Sequence, residues 1–269
     1  MNKKLVIWDF DGVICDSLLE CITITRVAAV RLQDAKLTVT EKNIGEICNQ
    51  DVVAALYKKM QTLRPFIAKG QDYLWQYFNL ELFPPSISGL QEYRAIFDQL
   101  FQLDLDRKYE SAFYESRKIV QSVMGQQYFT LFKPYPGALY AFRSSLLRDR
   151  NYICTARDQK GVLLLFGDHA IEFPRDKIYS KDFNGNATNT GQGKMEQILR
   201  ILDCEGGKEQ EFLLIEDQVT VPLELKKQCS GMSVVYAAYG YGLDQDWGSA
   251  DLNRVAKVSD PSGLIYAIY

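Results

Sequence analysis

The chain has 269 residues, 47% of them hydrophobic, and a formal net charge of −3; such a chain suits one large globular domain or two modest ones with a full core, and argues against disorder. Acids and bases are interspersed with no long basic block, which removes the electrostatic case for nucleic acid or an anionic membrane as a partner. The six cysteines form no Cys-x-x-Cys pair and no apolar stretch is long enough to span a bilayer, so zinc and membrane insertion are disfavoured and free thiols in a reducing compartment are expected.

The amino terminus runs directly into an apolar segment without signal-peptide architecture, and the expectation is a soluble cytoplasmic protein, monomer or homodimer. That first segment, Leu5 to Trp8, has the length and composition of a strand buried on both faces. It ends in Asp9-Phe10-Asp11-Gly12, placing two carboxylates at the carboxyl end of a strand, where open parallel sheets form ligand sites. Alternation puts Asp9 and Asp11 on one side and Phe10 on the other, and Gly12 permits a backbone conformation that other residues resist. Two like charges held close are costly unless a cation or a shared proton relieves them. A solvated turn or one arm of a calcium loop is the alternative, although the further acids of an EF-hand are missing.

From about Ser17 to Lys133 the apolar residues recur with helical spacing, as in Ile22, Val27, Val30, then Val52, Val53, Leu56, then Tyr93, Ile96, Phe97, Leu100. Breakers at Gly70, Pro84-Pro85, Gly89 and Gly125 divide this stretch into several helices. The spacing of Tyr73, Trp75, Tyr77 and Phe78 is best explained as core of this helical insertion. Lys133-Pro-Tyr-Pro136-Gly137 closes it, because two prolines and a glycine cannot continue a helix. Residues 1–16 and 134–269 are thus expected to form one domain, with 17–133 inserted into it.

Beyond Pro136, strand-like runs alternate with helical patterns, the arrangement of a parallel sheet with crossover helices. The predicted strands are Tyr152–Thr155, Lys177–Tyr179, Phe212–Ile215 and Ser233–Tyr236, which with Leu5–Trp8 make five; the helices lie at about 137–148, 158–166, 194–202 and 221–229.

The strand ends carry the chemistry. Thr155-Ala156-Arg157 offers a hydroxyl and backbone N–H groups at the start of a helix, a phosphate-sized cradle, unless Thr155 only caps that helix. Lys194 follows a Gly- and Asn-rich loop (184–193) and opens a helix, where a cation opposes the macrodipole and a phosphoryl oxygen would justify it; Lys181, before the loop, is the second candidate, and a solvated lysine the plainer reading. Glu216-Asp217 is a second acid pair at a strand end, fit either for a helix amino terminus or, with Asp9, for a hard divalent cation such as Mg²⁺. Jointly these residues suit phosphoryl transfer: Asp9 as nucleophile, Asp11 as proton donor and acceptor, and Thr155, Lys194 and Mg²⁺ against the phosphoryl oxygens.

This set resembles the haloacid dehalogenase superfamily, in particular its phosphoglycolate phosphatase and β-phosphoglucomutase-like members with a helical cap. Asp9-Phe-Asp11-Gly12-Val, Thr155, Lys194 and Glu216-Asp217 stand in the order of the four family motifs; Pro136-Gly137 resembles the re-entry from the cap, and Tyr239-Gly-Tyr-Gly242, Ala250-Asp251 and Pro261-Ser-Gly-Leu264 resemble the tail of such proteins. The resemblance implies a Rossmann-like α/β core with sheet order 5-4-1-2-3, an all-helical cap over 17–133, and a phosphatase for a small phosphorylated metabolite. It places Phe10, Thr155, Ala156, Arg157 and Lys194 around the phosphate, and assigns Mg²⁺ to Asp9, Asp217, the main-chain carbonyl of Asp11 and, directly or through water, Glu216.

Gln218-Val-Thr-Val-Pro222 lacks the further aspartate that family phosphatases often carry. A phosphomutase is the alternative enzyme, but such proteins generally place a histidine in the first cap helix, whereas Leu18 to Arg31 has none and His169 is the chain's one histidine. A dehalogenase needs no acid at the position of Asp11. A non-catalytic binding protein on the same fold would have no reason to keep so costly a cluster of charges.

Overall fold

The computed structural model describes residues 3–84, 87, 89–180, 191–207, 211–248, 252 and 255–269. The chain divides into two compact units, Met1–Asp16 with Lys133–Tyr269, and Ser17–Phe132.

The second unit is helical among its described residues: α1 (Leu18–Gln33), α2 (Glu41–Ile47), α3 (Gln50–Leu63), α4 (Asp72–Phe78), α5 (Leu90–Leu100) and α6 (Leu103–Met124), with short 3₁₀ turns between them. Helix α1 packs against α3, α4 and α6. Glu20, fully buried on α1, receives Arg117 of α6 at 2.9 and 3.2 Å and the hydroxyl of Tyr128. Such a pair stabilises one register of α1 on α6, because a slip would leave a buried charge unmatched. As the spacing predicts, Tyr73 and Trp75 are core residues. The Trp75 ring meets Phe97, Phe101 and Tyr109, and its indole donates to Asp106 at 3.0 Å.

Asp72 opens α4 and accepts the N–H groups of Ala68 and Lys69, both at 2.9 Å. Burial pushes its carboxyl up to about 6 despite those bonds. The folded state then keeps a proton that the unfolded chain releases, so this group's contribution to stability falls as pH rises from about 4 to about 6. Asp72→Asn, which retains an oxygen for both N–H groups, is expected to flatten the thermal-melting profile over that interval and raise the melting temperature at pH 7. A profile with the wild-type slope contradicts this account.

The first unit is built on β1 (Leu5–Trp8), β2 (Cys15–Asp16), β3 (Lys133–Pro134), β4 (Arg150–Cys154), β5 (Ile178–Tyr179), β6 (Phe212–Glu216), β7 (Met232–Ala237) and β8 (Val255–Val258). Its main sheet is parallel, in the order β5-β4-β1-β6-β7-β8, while β2 and β3 pair antiparallel where the chain leaves and re-enters this unit. Numbering the main-sheet strands by themselves gives 6-5-4-1-2-3, which is the expected 5-4-1-2-3 corrected by a sixth strand beside the fifth. That strand, β8, has three exposed residues of four and a lysine, so it lacks the apolar run by which buried strands are recognised. β1 is its opposite: all four residues are buried, and it sits between β4 and β6.

The helices of this unit are α7 (Pro136–Leu146), α8 (Gln159–Asp168), α9 (Gly191–Glu205), α10 (Thr220–Lys226), α11 (Asp244–Gly248) and α12 (Leu264–Ile268). Helix α7 begins with proline in its first turn and packs against the 3₁₀ turn Pro261–Gly263, bringing together two of the segments singled out in the sequence. One face of the sheet is closed by Ile198, Ile201 and Leu202 of α9 and Val221 and Leu225 of α10, which join Leu5, Ile7, Leu214 and Val234 in one apolar core. Removing this much apolar surface from water holds the strand ends in register, and with them the polar residues that follow.

Candidate active site

Asp9 follows β1 directly, its N–H continuing the ladder to the Ile215 carbonyl at 2.9 Å, so β6 carries Glu216 and Asp217 to the same edge of the sheet. One oxygen of Asp9 accepts the Phe10 N–H at 2.7 Å and stands 2.9 Å from Lys194 Nζ. The same ammonium reaches Glu216 at 2.6 Å, so one lysine in the first turn of α9 bridges two buried carboxylates. Its unfavourable place at a helix amino terminus is thereby offset. Burial, then Glu216, holds the Asp9 carboxyl well above its ordinary range, with Lys194 pulling it back. Burial likewise raises Glu216. For Lys194, burial works against the charge but Asp9 and Glu216 outweigh it, and the ammonium is held above its usual range.

Asp217 completes the acidic group. One carboxylate oxygen from each of Asp9, Glu216 and Asp217 lies within 4.8 Å of the others, and all three residues are buried. Glu216 also accepts the N–H groups of Asp217 and Gln218 at 3.2 and 3.3 Å, while Asp217 Oδ2 accepts the Tyr241 N–H at 2.7 Å. Gly12, at φ +89°, makes room for this: a Cβ there would stand 2.1 Å from Asp217 Oδ2. An all-oxygen set of buried acids, with the Lys194 ammonium beside them, fits a hard divalent cation such as Mg²⁺.

Asp11 stands apart from that group. Its carboxylate is gripped by Arg157 through three contacts of 2.8, 3.0 and 3.2 Å, and Arg157 is 1% exposed. The expectation at Arg157 concerns its main-chain N–H; its guanidinium is engaged by Asp11, because a planar, always-charged fork buried here finds its match in a carboxylate. The cradle expected at Thr155-Ala156-Arg157 is also partly used internally. The Thr155 N–H donates to the Tyr179 carbonyl at 2.9 Å, and Thr155 Oγ1 accepts the Arg157 N–H at 3.1 Å. Thr155 is not the cap of α8, a task taken by Asp158, whose side chain accepts the Gly161 N–H at 2.8 Å. Phe10 is fully buried with its ring edge-on to Phe166, so its side chain belongs to the core; Ala156 is exposed.

Lys181, the loop residues 184–190 and Ala250-Asp251 lie outside the described residues. Among the described ones, Tyr241 and Trp247 also contact Asp217; for Tyr241 the signal in the sequence is the pair of glycines that flank it just after β7.

No family model and no curated protein matches the chain. Solved structures do. A haloacid dehalogenase-like hydrolase from Streptococcus pneumoniae aligns with 99% of this chain and 99% of its own at a TM-score of 0.59 and 12% identity. A protein described as a predicted phosphatase from Clostridium acetobutylicum aligns over 96% and 95% at 0.57 and 14% identity, and a hydrolase from Pseudomonas syringae over 99% and 98% at 0.57 and 13%. With this sheet order and near-complete coverage in both directions, the chain has the haloacid dehalogenase-like hydrolase fold.

Proposed function

We propose that the protein is a Mg²⁺-dependent phosphatase that hydrolyses a small phosphomonoester through an aspartyl-phosphate on Asp9. The observation that carries this reading is the meeting of Asp9 with Lys194, Glu216 and Asp217 at the carboxyl edge of the sheet. Residues 1–16 and 134–269 serve as the catalytic core and 17–133 as a cap that selects the substrate. The fold of the solved relatives supports the reaction class, and the chain's free thiols support a reducing, cytoplasmic setting. No helix among the described residues is long and apolar enough to cross a membrane.

In the first step a carboxylate oxygen of Asp9 bonds to phosphorus as the bond to the leaving oxygen breaks, and Asp11 hands that oxygen a proton. This transfer requires the grip of Arg157 on Asp11 to loosen. In the second step water attacks the same phosphorus, Asp11 takes the proton, and the Asp9 carboxylate departs with both its oxygens. Lys194 and the Thr155 hydroxyl face charge on the phosphoryl oxygens. A divalent cation held by Asp9 and Asp217, with Glu216 and the Asp11 carbonyl in support, supplies the positive charge without which two anions repel.

Hydrolysis of p-nitrophenyl phosphate should disappear in EDTA and return on adding Mg²⁺. A rate indifferent to chelation counts against the reading.

A further inference from the structure

The proposed reaction leaves the segment Tyr239-Gly-Tyr-Gly242 without a task, yet that segment and Trp247 close on Asp217 from two sides. The Tyr241 N–H holds Oδ2 at 2.7 Å, and the indole N–H of Trp247 donates to the main-chain carbonyl of Asp217 at 2.9 Å. The glycines are what allow the approach. A Cβ on Gly242 would stand 1.8 Å from that carbonyl oxygen, and one on Gly240 2.6 Å from Asp217 Cβ and 2.4 Å from the Gly12 carbonyl. Trp247 is itself fixed, stacked on Tyr236 with ring centroids 4.3 Å apart, and it is buried. A buried indole N–H needs an acceptor, and here the acceptor is the backbone of an acidic residue at the site.

We propose that Trp247 is a positioning residue for Asp217, and that with the loop 239–242 it sets the affinity of the site for its divalent cation. It touches no reacting atom. Trp247 fixes the main chain from which the Asp217 side chain projects, and the Tyr241 N–H fixes one carboxylate oxygen, so less freedom is left for Asp217 to lose on taking a cation. Partners of this kind are commonly worth about 10–100-fold in metal affinity. The inference rests on the reading of Asp9, Glu216 and Asp217 as cation ligands, and the test separates the two.

Mn²⁺ binding is measured by electron paramagnetic resonance on the full chain. Wild type and Gly248→Ala, whose added methyl meets nothing within 4 Å, should bind alike. Trp247→Phe, which keeps an aromatic ring against Tyr236 but loses the N–H together with part of the indole's surface, should bind about 10-fold more weakly. Its hydrolytic rate should return to near the wild-type value at saturating Mg²⁺, a recovery that general structural damage would not show. Gly240→Ala, pressing a methyl onto Asp217, should weaken binding in the same way and serves if Trp247→Phe does not fold. Folded variants with wild-type Mn²⁺ affinity overturn this inference alone. A wild-type protein that binds no Mn²⁺ overturns the cation reading, and this inference with it.

Discussion

Asp9→Asn is expected to lower phosphomonoester hydrolysis by about 10⁴-fold or more, because an amide oxygen cannot form and release the phosphoryl bond that a carboxylate can. The same substitution should leave the fold intact. Asparagine keeps an oxygen for the Phe10 N–H and for Lys194, and the raised value of Asp9 means that the site disfavours its charge. Burial outweighs the pull of Lys194 on this carboxyl, and Glu216 still faces the ammonium after the substitution, so removing the charge takes no net stability away. The variant should therefore melt no lower than wild type while being nearly inactive. The two measurements together are diagnostic: inactivity with an unchanged or raised melting temperature assigns the loss to chemistry. Retention of more than a tenth of the wild-type rate would mean that water, not Asp9, attacks phosphorus.

Lys194→Met is expected to damage both stability and activity. The ammonium lies 2.9 Å from Asp9 and 2.6 Å from Glu216, residues 7% and 1% exposed, and its removal leaves two buried carboxylates without their shared counter-charge. Breaking a buried pair from one side costs about 3–5 kcal/mol, which for a chain of this size corresponds to a drop of roughly 10 °C in melting temperature. The sign of the pH dependence is fixed by the same contacts. Lys194 lowers both carboxyls, so without it each rises further, the folded state takes up protons more readily, and the stability deficit shrinks as pH falls. Mg²⁺ should recover part of the lost melting temperature by supplying counter-charge to the same oxygens, with little recovery of hydrolysis. A variant that melts like wild type at pH 7 would show that the ammonium is not the counter-charge of this cluster.

These expectations depend on contacts of unequal visibility in the chain. The strand Leu5–Trp8 is legible to the residue because all four side chains are apolar and all four are buried, so periodicity and environment agree. β4, β6 and β7 each extend one or two residues beyond the predicted run, where a polar residue or the last ladder bond adds length that hydropathy does not mark. Helix α9 starts three residues before Lys194, at Gly191, since glycine carries no helical signal of its own. Val255–Val258 shows the converse: an edge strand with its side chains in solvent has no pattern to read.

The site divides in the same way. Asp9, Glu216 and Asp217 stand out in the sequence as candidates because a charge directly after a buried strand has few places to go, and Lys194 because a cation at a helix amino terminus needs a reason; in the structure the four meet. The partner of Arg157 was not identifiable. Asp11 lies 146 residues away, and nothing local distinguishes a guanidinium aimed at a phosphate from one aimed at a carboxylate. Trp247 gave no sign either, since its role runs through a main-chain carbonyl.

The amino-acid sequence by itself shows which residue types stand at the ends of which strands, and that an insertion separates the first acid pair from the rest. Tertiary structure alone decided the pairing. Lys194 joins Asp9 to Glu216, Arg157 takes Asp11, and Tyr241 and Trp247 take Asp217, because separations near 3 Å between buried charges and dipoles dominate their energies. Those separations exist only once the parallel sheet has brought the ends of β1, β4 and β6 to one edge.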